Sequence, residues 1–169
     1  GEALKIVRGG GRVVGVDPSE GMLQRARERL KIETVVGTAE ALPFASESFD
    51  FVSMGYALRH VDSLTGAFSE FRRVLKPGGR VCVLEVTRPV TPIGRWALRA
   101  YLGTLSRILG TVTRMSPRTP ELWKYYWETI DQCVPPERVE QALRDAGFAA
   151  VERQVECGVF SQYMGERKG

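Results

Sequence analysis

The chain has 169 residues, 24 basic and 20 acidic side chains, a net charge of +4 and 43% apolar residues, enough for one domain with a proper core. No uninterrupted apolar run reaches membrane-spanning length and no signal-peptide pattern opens the chain, so a soluble, cytoplasmic protein is expected. Cys82, Cys133 and Cys157 are odd in number and lack paired metal-ligand spacing, which argues against a metal site and for reduced thiols.

In chain order, Gly1 to Arg8 reads as the rear of a helix that turns at Gly9-Gly10-Gly11. A doubly wound nucleotide-binding fold has a first strand and a glycine-rich loop before such a helix. Gly1 stands where the last glycine of that loop would stand, so the chain is expected to be N-terminally incomplete. Val13-Val14-Gly15-Val16 reads as a buried parallel strand ending on Asp17. Pro18 suits the first turn of a helix whose apolar stripe is Met22, Leu23, Ala26 and Leu30, with Arg25, Arg27, Glu28 and Lys31 mostly facing solvent. An acid at the carboxyl end of such a strand offers two acceptor oxygens to the two hydroxyls of a ribose. Capping of the helix would also explain Asp17, and core packing would explain Met22.

Glu33 to Val36 forms the next short strand, and Gly37 to Phe44 a loop marked by Pro43. Phe51-Val52-Ser53-Met54 is a third strand running into Gly55 to His60, the segment that the crevice rule for open α/β sheets turns toward a ligand. Asp62 or Ser63 caps a helix that buries Leu64, Ala67, Phe68, Phe71, Val74 and Leu75, and Pro77-Gly78-Gly79 stops it. Arg80 to Val86 is a fourth strand, broken near its end by Glu85, an acid in an apolar run. From Pro89 the alternation of strand and helix gives way to a helical stripe through Ile93, Trp96, Ala100, Tyr101, Leu105 and Leu109. A break at 115–120 precedes a second helix carrying Trp123, Tyr125, Tyr126 and Trp127. The excess charge lies here: residues 87–134 hold seven basic groups against three acids, and the remainder is balanced at 17 against 17. Pro135-Pro136 starts a last helix that ends at Gly147. Phe148 to Glu156 and Val159 to Met164 then form an antiparallel hairpin.

These elements predict a single α/β domain over 1–169 with a Rossmann-like, doubly wound, mostly parallel sheet. Its nucleotide-binding part spans 1–88, a helical lid is inserted at 89–134, and 135–169 contributes the last helix and the hairpin. The segments VVGVDPSEGML, GTAEALPF, SFDFVSMGYALRHV and EFRRVLKPGGRVCVLEVTRP, in this order and spacing, resemble class I S-adenosylmethionine-dependent methyltransferases. More narrowly they resemble the UbiE-type C-methyltransferases of ubiquinone and menaquinone biosynthesis, over nearly the whole chain.

The resemblance implies S-adenosylmethionine as cofactor, S-adenosylhomocysteine as product, and a quinol-like or other apolar aromatic acceptor. It assigns the cofactor ribose to Asp17, the adenine face to Met22, the adenine edge to Thr38 and Ala39, and further cofactor contacts to Gly1 and Tyr56. The family usually has Asp or Asn where this chain has Thr38. An Arg-Asn pair thought to help deprotonate the substrate falls on Arg59 and His60, as the catalytic residues. Carbon methylation needs an electron-rich ring carbon, which loss of a phenolic proton provides. An imidazole of ordinary pKa, roughly 6.5, is a competent base near neutrality, whereas an arginine is suited to holding the phenolate. For His60, a part in capping the following helix is the structural alternative. The lid's aromatics suit a flat ring with a greasy tail, and the arginines of 93–118 suit peripheral contact with a membrane surface. A homodimer is expected if a second copy covers the sheet edge left by a missing first strand. A catalytically silent binding or assembly protein is the alternative function. Nucleic-acid modification and NAD-dependent oxidoreduction rank below it, and no nucleic-acid partner is expected.

Overall fold

The computed structural model describes residues 11–87, 96, 100, 104, 133–156 and 158–169. Gly1, Cys157, most of the inserted lid and the arginines at 95, 99 and 107 lie outside the described residues. The elements are β1 (Val14–Asp17), α1 (Glu20–Leu30), β2 (Glu33–Val36), β3 (Phe49–Gly55), a 3-10 turn (Leu58–His60), α2 (Leu64–Val74), β4 (Leu75–Val86), α3 (Pro136–Asp145), β5 (Phe148–Glu156) and β6 (Phe160–Arg167). This is the Rossmann-like α/β arrangement with its C-terminal hairpin.

Hydrogen bonding divides the strands into two sheets. β1 pairs with β2 in parallel, from Val14↔Glu33 to Asp17↔Val36. The second sheet has the order β3-β4-β6-β5. Its β3 and β4 run parallel, while β6 lies antiparallel to both β4 and β5. One edge of β1 and one edge of β3 carry no ladder partner among the described residues.

The larger sheet buries one face under α2 and α3. Phe68 and Phe71 of α2 meet Val139 and Leu143 of α3 over Val81 and Val83 of β4 and Tyr163 of β6, with Leu58 and Phe148 completing the core. Ser63 caps α2, its Oγ accepting from the Gly66 N–H at 3.1 Å. Gly147 closes α3 with φ +88°, a left-handed turn in which any Cβ would also press on Arg72.

Three expectations are corrected. The helix after β1 begins at Glu20 with Ser19 as its N-cap, so Pro18 precedes the helix and Asp17 is not its cap. Only Leu23 of α1 is buried, whereas Met22 and Leu30 are exposed. With β1 only four residues long and α1 packed mainly on β1 and β2 among the described residues, one apolar position suffices to seat the helix. Finally, α2 stops at Val74 rather than at Pro77-Gly78-Gly79. Leu75 already pairs with Phe49, and the Pro-Gly-Gly triplet bulges out before the ladder resumes at Phe51↔Arg80.

Candidate active site

Asp17 ends β1 with its backbone paired to Val36. Its carboxylate Oδ1 accepts the Ser19 N–H at 2.8 Å, which fixes the side chain at the turn into α1. No contact of Oδ2 is found among the described residues. An open cleft of about 450 Å³ runs along the first turns of α1, lined by Ser19, Gly21, Met22, Gln24, Arg25 and Glu28. Met22 projects into it and is 53% exposed.

The loop after β2 is tied to this corner by backbone. The Gly37 N–H reaches the Asp17 carbonyl at 3.4 Å, and a Cβ on Gly37 would meet Pro43 at 2.9 Å, so the close approach requires glycine. Thr38 bridges to Ala41 and is exposed, while Ala39 leans on the core. Arg73 of α2 holds the next residues, donating to the Phe44 carbonyl at 2.8 Å and the Leu42 carbonyl at 3.1 Å. It forms a two-pronged pair with Glu70 at 2.7 and 2.8 Å, and Glu70 in turn accepts the Leu42 N–H at 3.1 Å. The hydrogen bond from Arg73 is the main cause that holds the Glu70 carboxyl below its ordinary pKa.

Glu40 carries the connection onward by accepting the Asp62 N–H at 2.9 Å, just after the strap that follows β3. In that strap Tyr56 has φ +56°, a left-handed backbone conformation rare for a bulky residue. Its N–H is held by the Leu84 carbonyl at 2.7 Å, and its own carbonyl by Arg59 Nη1 at 2.8 Å. The Tyr56 ring is 46% exposed and meets Phe160 edge-on at 6.5 Å between centroids. Leu58 is buried, whereas Arg59 and His60 face outward. Because Ser63 supplies the cap of α2, His60 is not needed for that task. No hydrogen bond of its imidazole is found among the described residues.

The structure places Asp17 at the carboxyl end of β1, ties the loop bearing Thr38 and Ala39 to it through the Gly37 N–H, and joins that loop through Glu40 to the segment just after the strap of Tyr56, Arg59 and His60. Met22 stands in the first turn of α1 and lines the cleft there, which Asp17, Thr38 and Ala39 do not line. Gly1 lies outside the described residues. Sequence reasoning noticed Glu85 but gave it no task. It is buried and serves two backbone donors, Leu58 N–H at 3.1 Å and Val86 N–H at 3.0 Å. Beyond it Thr87 and Ser161, both buried, pair at 2.6 Å, and Arg153 Nε donates to Ser161 at 3.0 Å. Cys133, where the chain returns to the described core, has its thiol pushed up to about 11, chiefly by burial and secondarily by the charge of Glu85. It stays protonated near neutrality and is no nucleophile. A larger cleft of about 530 Å³, between residues 61–65 and the outer side of α3, is lined by none of the expected site residues.

The model of the ubiE/COQ5 methyltransferase family matches residues 2–167. A demethylmenaquinone methyltransferase of Lactococcus lactis is 38% identical over 156 residues, covering 88% of this chain and 60% of that protein. The ubiquinone/menaquinone biosynthesis C-methyltransferase UbiE of Klebsiella pneumoniae is 32% identical over 170 residues, covering 95% of this chain and 66% of its own length. The chain thus spans about 60% of the length of relatives such as the first. Among solved structures, an S-adenosylmethionine-dependent methyltransferase of Thermotoga maritima superposes with a TM-score of 0.66 at 24% identity, over 99% of this chain and 86% of that one. That likeness speaks for the fold.

Proposed function

The chain belongs to the ubiE/COQ5 methyltransferase family, and from that premise we propose that it transfers a methyl group from S-adenosylmethionine to a ring carbon of a quinol-like, apolar acceptor. The observation that carries the reading is the corner at Asp17: a carboxylate fixed through one oxygen, the other without a hydrogen bond among the described residues, at the turn into a helix whose first turns carry an exposed methionine and line an open cleft. Those features fit a nucleoside. The carboxylate accepts from a ribose hydroxyl, the thioether of Met22 lies flat on a purine, and Thr38 and Ala39 meet its edge. Bound there, the cofactor supplies an electrophilic sulfonium methyl.

The chain's own residues do the rest. Arg59 and His60 stand outward on a strap clamped to β4, His60 suited to take up the acceptor's hydroxyl proton and Arg59 to hold the resulting negative oxygen, so that electron density moves into the ring, whose carbon takes the methyl and then loses its own proton to solvent. Tyr56, set by its left-handed backbone, offers an aromatic edge between cofactor and acceptor. Alignment of a flat ring against a fixed methyl supplies much of the rate, since proximity and orientation alone are worth about 7–11 kcal/mol in favourable cases.

Calorimetric titration of the purified protein with S-adenosylmethionine tests the reading. Saturable binding with one site per chain is expected, and Asp17→Ala should weaken it. An unaltered affinity in a folded Asp17→Ala variant would make Asp17 a structural turn residue only.

A further inference from the structure

Among the described residues Glu85 is the one charged side chain that is buried, 3% exposed, and it stands in a strand whose neighbours Val81 and Val83 are fully apolar. A strand needs no acid there, and removing a carboxylate from water is costly unless its oxygens are well served. They are: Oε2 accepts from Leu58 N–H at 3.1 Å and Oε1 from Val86 N–H at 3.0 Å. The first bond reaches 27 residues back to the start of the 3-10 turn that carries Arg59 and His60. Two residues earlier, Tyr56 N–H is bonded to the Leu84 carbonyl, so successive grips from β4 hold the strap at 56 and at 58. Between them the backbone is twisted left-handed at Tyr56 and Leu58 is driven inward, which leaves Arg59 and His60 on the outer side.

We propose that Glu85 is a positioning residue for methyl transfer. Its carboxylate latches the strap to β4 and so sets where Arg59 and His60 meet the acceptor, without touching the acceptor itself. The inference rests on the reading of Arg59 and His60 given above. Glu85→Met keeps the length of the side chain but removes both accepting oxygens, so the Leu58 N–H loses its partner. The grip at 58 then opens, and a displacement of about 1 Å at a reacting group costs on the order of a hundredfold in rate.

The test follows Glu85→Met in two ways: steady-state turnover with S-adenosylmethionine and 1,4-naphthoquinol, and amide hydrogen exchange. The latch predicts a kcat lower by roughly ten- to a hundredfold at near-constant KM for the cofactor. Exchange at Leu58 should quicken at least about tenfold while Val81 and Val83 keep their protection. Unchanged exchange at Leu58 would overturn the latch. Quickened exchange with undiminished kcat would overturn the positioning role. Should the variant not fold, the wild-type protein answers: an NMR coupling across the hydrogen bond, from the Leu58 amide nitrogen to the Glu85 carboxyl carbon, should be detected, and its absence overturns the proposal. Failure of the underlying reading looks different, since Arg59→Ala and His60→Gln would then leave kcat unaltered whatever happens at Leu58.

Discussion

At the scale of single residues, what mattered was which oxygens and which ring faces remain uncommitted. Asp17 was visible in the sequence because an acid at the end of an apolar β-branched run is conspicuous. That only one of its oxygens has a hydrogen bond among the described residues became visible only in the fold, through the Ser19 N–H. If the other grips a ribose hydroxyl, Asp17→Ala should cost about 1.5–3 kcal/mol of S-adenosylmethionine binding, the range for a hydrogen bond to a charged group. Calorimetry reads this directly. Met22 shows the limit of periodicity: it lies on the apolar stripe of α1 in sequence, yet that helix buries Leu23 alone. Glu85 shows the converse, an acid whose sequence context marks it as unusual but cannot say that its partner is the amide of Leu58.

At the scale of elements, strands and helices were legible to within a few residues, because caps and periodicity are local signals. The errors came from long-range pairing. The bond between Leu75 and Phe49 ends α2 three residues before the Pro-Gly-Gly triplet, and no local pattern announces a partner 26 positions away. The clamp of Glu70 and Arg73 on the 42–44 loop was equally hidden, although it holds the end of the loop that is tied to Asp17 at Gly37. It should be acid-sensitive. The folded Glu70 has its pKa lowered, first by the hydrogen bond from Arg73, so its contribution is complete above the unfolded carboxylate range and disappears as pH falls through the folded value. The Tm difference between wild type and Glu70→Gln should therefore hold steady from neutrality to about pH 5, then close below roughly pH 4. A gap that widened on acidification would contradict the assigned direction.

At the scale of the whole molecule, the described residues put the Asp17 corner at the carboxyl end of β1 and the strap at that of β3, the ends at which the crevice rule expects a ligand. Trp96, Ala100 and Thr104 are helical and exposed, and Trp96 is 72% exposed in the most basic stretch of the chain. The proposed acceptor is apolar and so partitions into membranes, and an exposed indole in an arginine-rich stretch of the sequence suits their interfacial region. The protein should therefore sediment with phosphatidylglycerol vesicles and come off as salt rises, with Trp96→Ala weakening the association. Equal sedimentation with neutral phosphatidylcholine vesicles would remove the electrostatic part of this account. The proposal as a whole turns on where the methyl group goes. The most direct measurement is the ¹³C NMR spectrum of the product formed from 1,4-naphthoquinol and S-adenosylmethionine labelled in its methyl group. The account predicts one labelled methyl bonded to a ring carbon, and a label found on oxygen, or retained entirely in the cofactor, would contradict it.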